Sequence, residues 1–136
     1  MKLQDFDFRL WDNKSKEYNG NREVVLSSEN VIYRIHTITG ELEKLKSDFL
    51  EIELWSGLRD KNDKKIFEGD IIKNIDLKAE YRVVYQGEFL LFPIKYESKI
   101  PLQKELAIRF CVLASEASEI LDSFEIIGNI HDEEVR

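Results

Sequence analysis

Short runs in which apolar and polar residues alternate, cut apart by Gly, Asn and Asp, extend along most of this chain, and that period of two constrains its fold more than any other feature. DFDFRLWD sets Phe6, Phe8 and Leu10 against Asp7, Arg9 and Trp11, the pattern of a strand with one buried face. NKSKEYNGN is turn chemistry, in which Asn19-Gly20 can supply the positive φ angles of a tight hairpin, and REVVLSS then reads as another short strand. Residues 30–39 alternate Val31, Tyr33, Ile35 and Thr37 with Ile32, Arg34, His36 and Ile38. This β-branched and aromatic run predicts a strand that Gly40 ends. In ELEKLKSDFLEIELW, Leu42 and Leu45 are three apart and suggest a helical turn. Alternation resumes at Leu50, Ile52 and Leu54, so a strand is expected over 49–55.

The middle of the chain places a charged loop, 58–65, between two apolar segments, with Gly57 and Gly69 available where the backbone must turn sharply. Gly69-Asp70 marks a turn or bulge entering a strand. EYRVVYQGEFLLFPIKY predicts a hairpin: Tyr81, Val83 and Tyr85 alternate, Gln86-Gly87-Glu88 connects, and 89–94 returns, with Pro93 requiring an edge or a bulge. ELAIRFCVL is expected to be a buried strand. SEASEILDS carries Ala117, Ile120 and Leu121 at helical spacing, and 124–130 is a last strand interrupted by Gly128-Asn129. Seven or eight short strands with at most one or two short helices fit a barrel or sandwich better than an α/β fold.

A chain of 136 residues buries roughly two thirds of the surface its unfolded form exposes, enough for a single domain over 1–136. The formal charge of −7, with Lys and Arg interleaved among Asp and Glu, offers no clustered basic face for phosphates. Nucleic acid is therefore disfavoured as a partner. Cys111 is the only cysteine, which excludes an intramolecular disulfide and a Cys-rich metal site. The longest apolar stretch, 89–94, is far short of the ~20 residues of a membrane span, and no apolar segment follows Met1. The expectation is a cytoplasmic protein without membrane contact.

Three segments carry a family resemblance: FRLWDNKSKEY at 8–18, WSGLRDKNDKKIFEGDII at 55–72 and FEIIGNIHD at 124–132. The central one is the most specific, through Trp55, Gly57, Leu58, Asp60, Lys61, Asn62, Phe67, Glu68, Gly69 and Asp70. Together they resemble the YopX family of phage and prophage proteins. The chain departs from that pattern at Asp63, where the family usually has Gly, and at His131, where it usually has Tyr. The resemblance implies a β-rich fold, a small SH3-like, partly open barrel around the Glu-Gly-Asp strand, an origin in a phage or prophage, and a tendency to self-associate. It carries no catalytic, cofactor or metal residues, because the family has no established activity.

The residues themselves suggest few reactive centres. Asp60, Asp63, Glu68 and Asp70 form an acidic cluster, but an EF-hand register starting at Asp60 puts Lys65 where the glycine belongs and Ile71 where the bidentate glutamate belongs. Asp60 is better read as closing an Asx turn, with Asp70 accepting backbone N–H bonds from the same loop. Cys111 sits in an apolar strand as a small hydrophobe, His36 at a surface or rim, and His131 near an exposed terminus, so no nucleophile and base are brought together. Trp11, Trp55, Tyr33, Tyr81 and Tyr85 are aromatics that a stacking groove would use, although core packing is their default. The expected function is that of a non-enzymatic phage or prophage accessory protein. It would act by self-association as a homo-oligomer or by binding a host or phage protein, through exposed aromatic or β-edge surface. The alternatives are a nucleic-acid-binding small β-barrel and an uncharacterised enzyme.

Overall fold

The computed structural model describes residues 6–19, 24–27, 29, 31–36, 38–45, 47–96, 108–109 and 120–132. Twelve strands in three sheets and a single 3-10 turn account for the regular structure of these residues. The β-rich expectation holds. The strands are more numerous than expected. Two compact units are present: Phe8–Glu53, and Leu54–Arg136 together with Met1–Asp7.

In the first unit, β1 (Phe8–Asp12) pairs antiparallel with β2 (Glu17–Asn19), Trp11 opposite Tyr18. The turn between them falls at 13–16, earlier than Asn19-Gly20, and Gly20 lies outside the described residues. The cause is Asp12, whose Oδ1 accepts the N–H groups of Lys14 at 2.8 Å and Ser15 at 3.2 Å while its carbonyl accepts Lys16 N–H at 2.8 Å. Lys16 takes the left-handed conformation, φ 58°. Both Leu10 and Trp11 are buried, so β1 is covered on its two faces at this point and not on one, since neighbouring side chains in a strand point opposite ways. Trp11 packs edge-on to Tyr18 at 4.9 Å and donates Nε1–H to Asn13 Oδ1 at 3.1 Å.

A three-stranded antiparallel sheet follows in the order β3 (Val24–Leu26), β4 (Ile32–Ile35), β5 (Leu42–Lys44). β4 is shorter than the predicted run because His36 already begins a turn. His36 N–H donates to Glu41 O at 2.9 Å, Gly40 N–H donates to His36 O at 2.7 Å, and Gly40 has φ 70°. Ile38, predicted within that strand, is 97% exposed at the turn. The helical turn expected at Leu42 and Leu45 is instead β5. Its pairing Arg34↔Glu43 aligns opposite charges across the sheet, and the 3-10 turn comes later, at Ser47–Phe49. β6 (Leu50–Arg59) begins in this unit beside β1.

In the second unit the far half of β6 pairs with β7 (Lys65–Phe67). The strand runs past 55 to Arg59 because a register shift between Trp55 and Arg59 absorbs Gly57, at φ 85°. A five-stranded antiparallel sheet has the order β11 (Ile108–Arg109), β10 (Phe89–Tyr96), β9 (Ala79–Tyr85), β8 (Asp70–Asn74), β12 (Phe124–Asn129). The β9–β10 hairpin has its predicted connection, and the bulge that Pro93 required lies between Pro93 and Lys95. The core of this unit is Ile66, Ile72, Ala79, Tyr81, Val83, Leu91, Leu121 and Phe124. Of the helix predicted over SEASEILDS, 115–119 lie outside the described residues. Ile120 instead bridges Arg59 in parallel pairing, which Leu121 N–H reinforces by donating to Arg59 O at 2.8 Å. Cys111 is likewise outside the described residues.

One glycine and one aspartate yield tests of this architecture. Gly69 is buried with φ 88°, donates N–H to Val83 O at 2.8 Å and accepts Ile130 N–H at 2.9 Å. Gly69→Ala is expected to cost about 1 kcal/mol or more, measured as a lowered midpoint in urea unfolding. Burial raises the Asp12 carboxyl pKa, but the N–H groups of Ser15 and Lys14, the Ser15 hydroxyl and the Lys14 charge outweigh that and hold it below the usual carboxylate value. A carboxyl with a depressed folded-state pKa contributes stability above its unfolded pKa and loses it as pH falls through the folded one. NMR titration is expected to show the Lys14 and Ser15 amides shifting only in that acid window, and Asp12→Asn to remove the transition.

Candidate functional site

The 60–64 loop, the most charged part of the central motif, is organised by one carboxylate. Asp60 is fully buried. Its Oδ1 accepts Asn62 N–H at 2.9 Å and Lys64 N–H at 3.0 Å, and its Oδ2 accepts Ile126 N–H at 3.1 Å from β12. The Asp60 backbone closes the loop as well: its N–H donates to Lys64 O at 2.8 Å and its carbonyl accepts Asp63 N–H at 3.0 Å. The Asx turn read from the sequence is present, and the carboxylate also reaches a strand far away in the chain. Asp70, buried too, accepts Phe67 N–H on Oδ2 at 2.8 Å and so turns 67–70 back into β8.

Trp55 is half-buried at the bulge and donates Nε1–H to Leu58 O at 2.9 Å. Lys65 Nζ lies 4.5 Å and the Arg59 guanidinium 5.7 Å from its ring centre. Both cations also meet acids: Lys65 pairs with Asp7 at 2.8 Å and Arg59 with Asp63 at 3.8 Å, while Lys61 pairs with Glu125 at 3.6 Å. Asp63 takes φ 63°, the left-handed conformation that glycine adopts most easily.

The acidic cluster is thus divided by role. Asp60 and Asp70 hold backbone amides, and Asp63 is exposed on the loop. Among the described residues no three His, Cys, Asp or Glu side chains are placed to hold a metal ion. His36 is at the surface as expected, 3.3 Å from Glu43. His131 is not exposed, as its place near the terminus suggested. It is 3% exposed, and its N–H donates to Asn129 Oδ1 at 2.8 Å, a turn that folds the residue back onto the protein. Of the candidate stacking aromatics, Tyr81 and Trp11 are buried and Tyr85 is exposed against Phe89 at 4.9 Å.

Sequence reasoning missed Glu53. This buried carboxylate accepts Arg9 Nε–H at 2.7 Å and the Tyr18 hydroxyl at 2.9 Å, and the Arg9 guanidinium stacks 4.6 Å from the Tyr18 ring. Its position between Ile52 and Leu54 reads as the solvent face of an alternating strand, and no local signal marks it as buried. Both of its partners do lie inside the 8–18 motif.

Fold and site define a strand-rich protein whose buried carboxylates organise its backbone. The family model described as YopX protein matches residues 7–135, and the chain belongs to the YopX family. No curated protein matches it. Among solved structures it is similar to the crystal structure of protein EF1440 from Enterococcus faecalis, with 25% sequence identity, a TM-score of 0.53 and 95% of each chain covered. The family motif thus contains residues with concrete structural roles, and Trp55 offers a measurement of one. Trp55→Phe keeps a ring between the two cations but loses the N–H to Leu58 O, and is expected to lower stability by about 1 kcal/mol, read by chemical denaturation.

Proposed function

We propose that this YopX-family chain is a phage or prophage accessory protein, cytoplasmic in its host, that works by binding protein and first of all a second copy of itself, rather than by catalysis. The observation that carries this reading is β5, an outer strand of the three-stranded sheet. Among the described residues β5 pairs with β4 alone, and beside this edge Leu42 is 59% and Ile38 97% exposed. An edge strand flanked by exposed aliphatic side chains favours strand pairing or apolar docking. The internal use of Asp60, Asp70 and Glu53 adds support, because each holds donors of its own fold. The acid partners of Lys61 and Lys65 favour protein over nucleic acid. No helix of the described residues is long and apolar enough to cross a membrane. The family match runs through both compact units, which supports treating 1–136 as one functional domain.

Light scattering coupled to size-exclusion chromatography tests the reading directly. The wild-type chain is expected to elute as an oligomer, and Leu42→Lys, which places a charge beside the β5 edge, to shift it toward the monomer mass. A wild-type monomer at every concentration, or an oligomer indifferent to Leu42→Lys, would overturn self-association through this surface.

A further inference from the structure

The five-stranded sheet of the second unit has an inner and an outer face. Ile72, Ala79, Tyr81, Val83 and Leu91 belong to the core, so their neighbours along β8, β9 and β10 point the other way. The register sets these outward residues in rows across the strands. Ile71, Arg82 and Phe92 stand side by side in one row, and Val84 and Leu90 stand in the next. The four apolar side chains are half-buried and lie outside the core cluster, and Arg82 among them is exposed.

Charge is spread unevenly over this face. On the other side of the Arg82 row, Lys73 stands between Glu80 on β9 and Glu125 on β12, the cross-strand placement in which opposite charges attract. Arg82 stands between Ile71 and Phe92 instead. Among the described residues it makes no ion pair, hydrogen bond or ring contact. An arginine lays its methylene stem along apolar neighbours and presents a planar fork of N–H donors above them. An arginine set among apolar and aromatic side chains is also the composition that marks the centre of protein interfaces, where Lys and acids are depleted.

We propose that this outer face binds a carboxylate-bearing apolar segment of another protein, Arg82 receiving the carboxylate and Ile71, Val84, Leu90 and Phe92 the apolar side chains beside it. The charge complementarity is to a single carboxylate. A guanidinium holds one carboxylate through two parallel N–H···O bonds, and the apolar flanks keep water from the pair. A nucleic-acid backbone brings a row of phosphates, which would meet this one unpaired cation and then Glu80 and Glu125 in the adjoining row. It would lack the series of cation contacts on which such affinity depends. The surface is built from strand faces rather than a strand edge, and it is independent of pairing through β5.

The probes are the peptide acetyl-SLELS-amide and its uncharged twin acetyl-SLQLS-amide, each titrated into the full isotope-labelled chain and followed by NMR. The glutamate peptide is expected to shift the amides of Ile71, Arg82, Val84 and Phe92 and to bind about tenfold more tightly than the glutamine peptide. Arg82→Gln is expected to abolish that preference with an unchanged unfolding midpoint, because the side chain is exposed and unpaired. Lys73→Gln removes an equal charge from the same face and is expected to retain the preference. If the two peptides bind alike, if neither shifts these amides, or if Lys73→Gln abolishes the preference as fully as Arg82→Gln, the carboxylate site is overturned. Tighter binding of a single-stranded oligothymidylate at the same amides would assign the face to phosphates and overturn it as well. The readout is local to this face, so association through β5 stands or falls on its own measurement.

Discussion

A carboxylate with no exposure to water is tolerable in a protein interior only when donors replace the water it has lost. Asp60 meets that condition with three backbone N–H groups, two from its own loop and one from β12. Charge-assisted bonds of this kind are stronger than neutral ones, and this set joins residues 66 positions apart in sequence. The loop must therefore close in one way, which sets Lys61 N–H on Phe124 O and lays the end of β6 beside Ile120 and Leu121. Leu121 and Phe124 in turn are members of the core. The C-terminal strand is seated by this polar contact as well as by its apolar packing.

The rest of the central motif works by the same logic. Gly57 and Gly69 take positive φ where the chain bulges and turns, Asp70 holds the turn before β8, and the Trp55 indole bonds the bulge carbonyl of Leu58. In the other unit, Asp12 organises a hairpin through two N–H groups, and Glu53 neutralises Arg9 while accepting the Tyr18 hydroxyl. Residues that on paper resemble a reactive cluster are the means by which short strands are registered against one another. The motif therefore identifies a fold, and beyond it lie sheet edges and exposed apolar side chains.

Those surfaces differ in kind. The β5 edge carries exposed Leu42 and lies near the fully open Ile38, whereas β12 bonds the Lys61 amide and the Asp60 and Asp132 carboxylates. A sheet protein must manage every open edge.

The sequence by itself determined the strand-rich class, the 79–96 hairpin with its Pro93 bulge, the turn at Gly69 and the Asx role of Asp60, because each depends on residues close together in the chain. It also marked the family through three separated segments. Tertiary structure decided what local pattern leaves open. β5 replaced a helical turn because pairing with β4 outweighs a two-leucine spacing. β1 buried both Leu10 and Trp11, and His131 folded inward instead of fraying. The burial of Glu53 and the reach of Asp60 to Ile126 depend on partners tens of residues away. Alternation and turn chemistry act over a few residues, but burial of charge and closure of a sheet edge depend on which distant strands meet, and that is settled only when the whole chain packs.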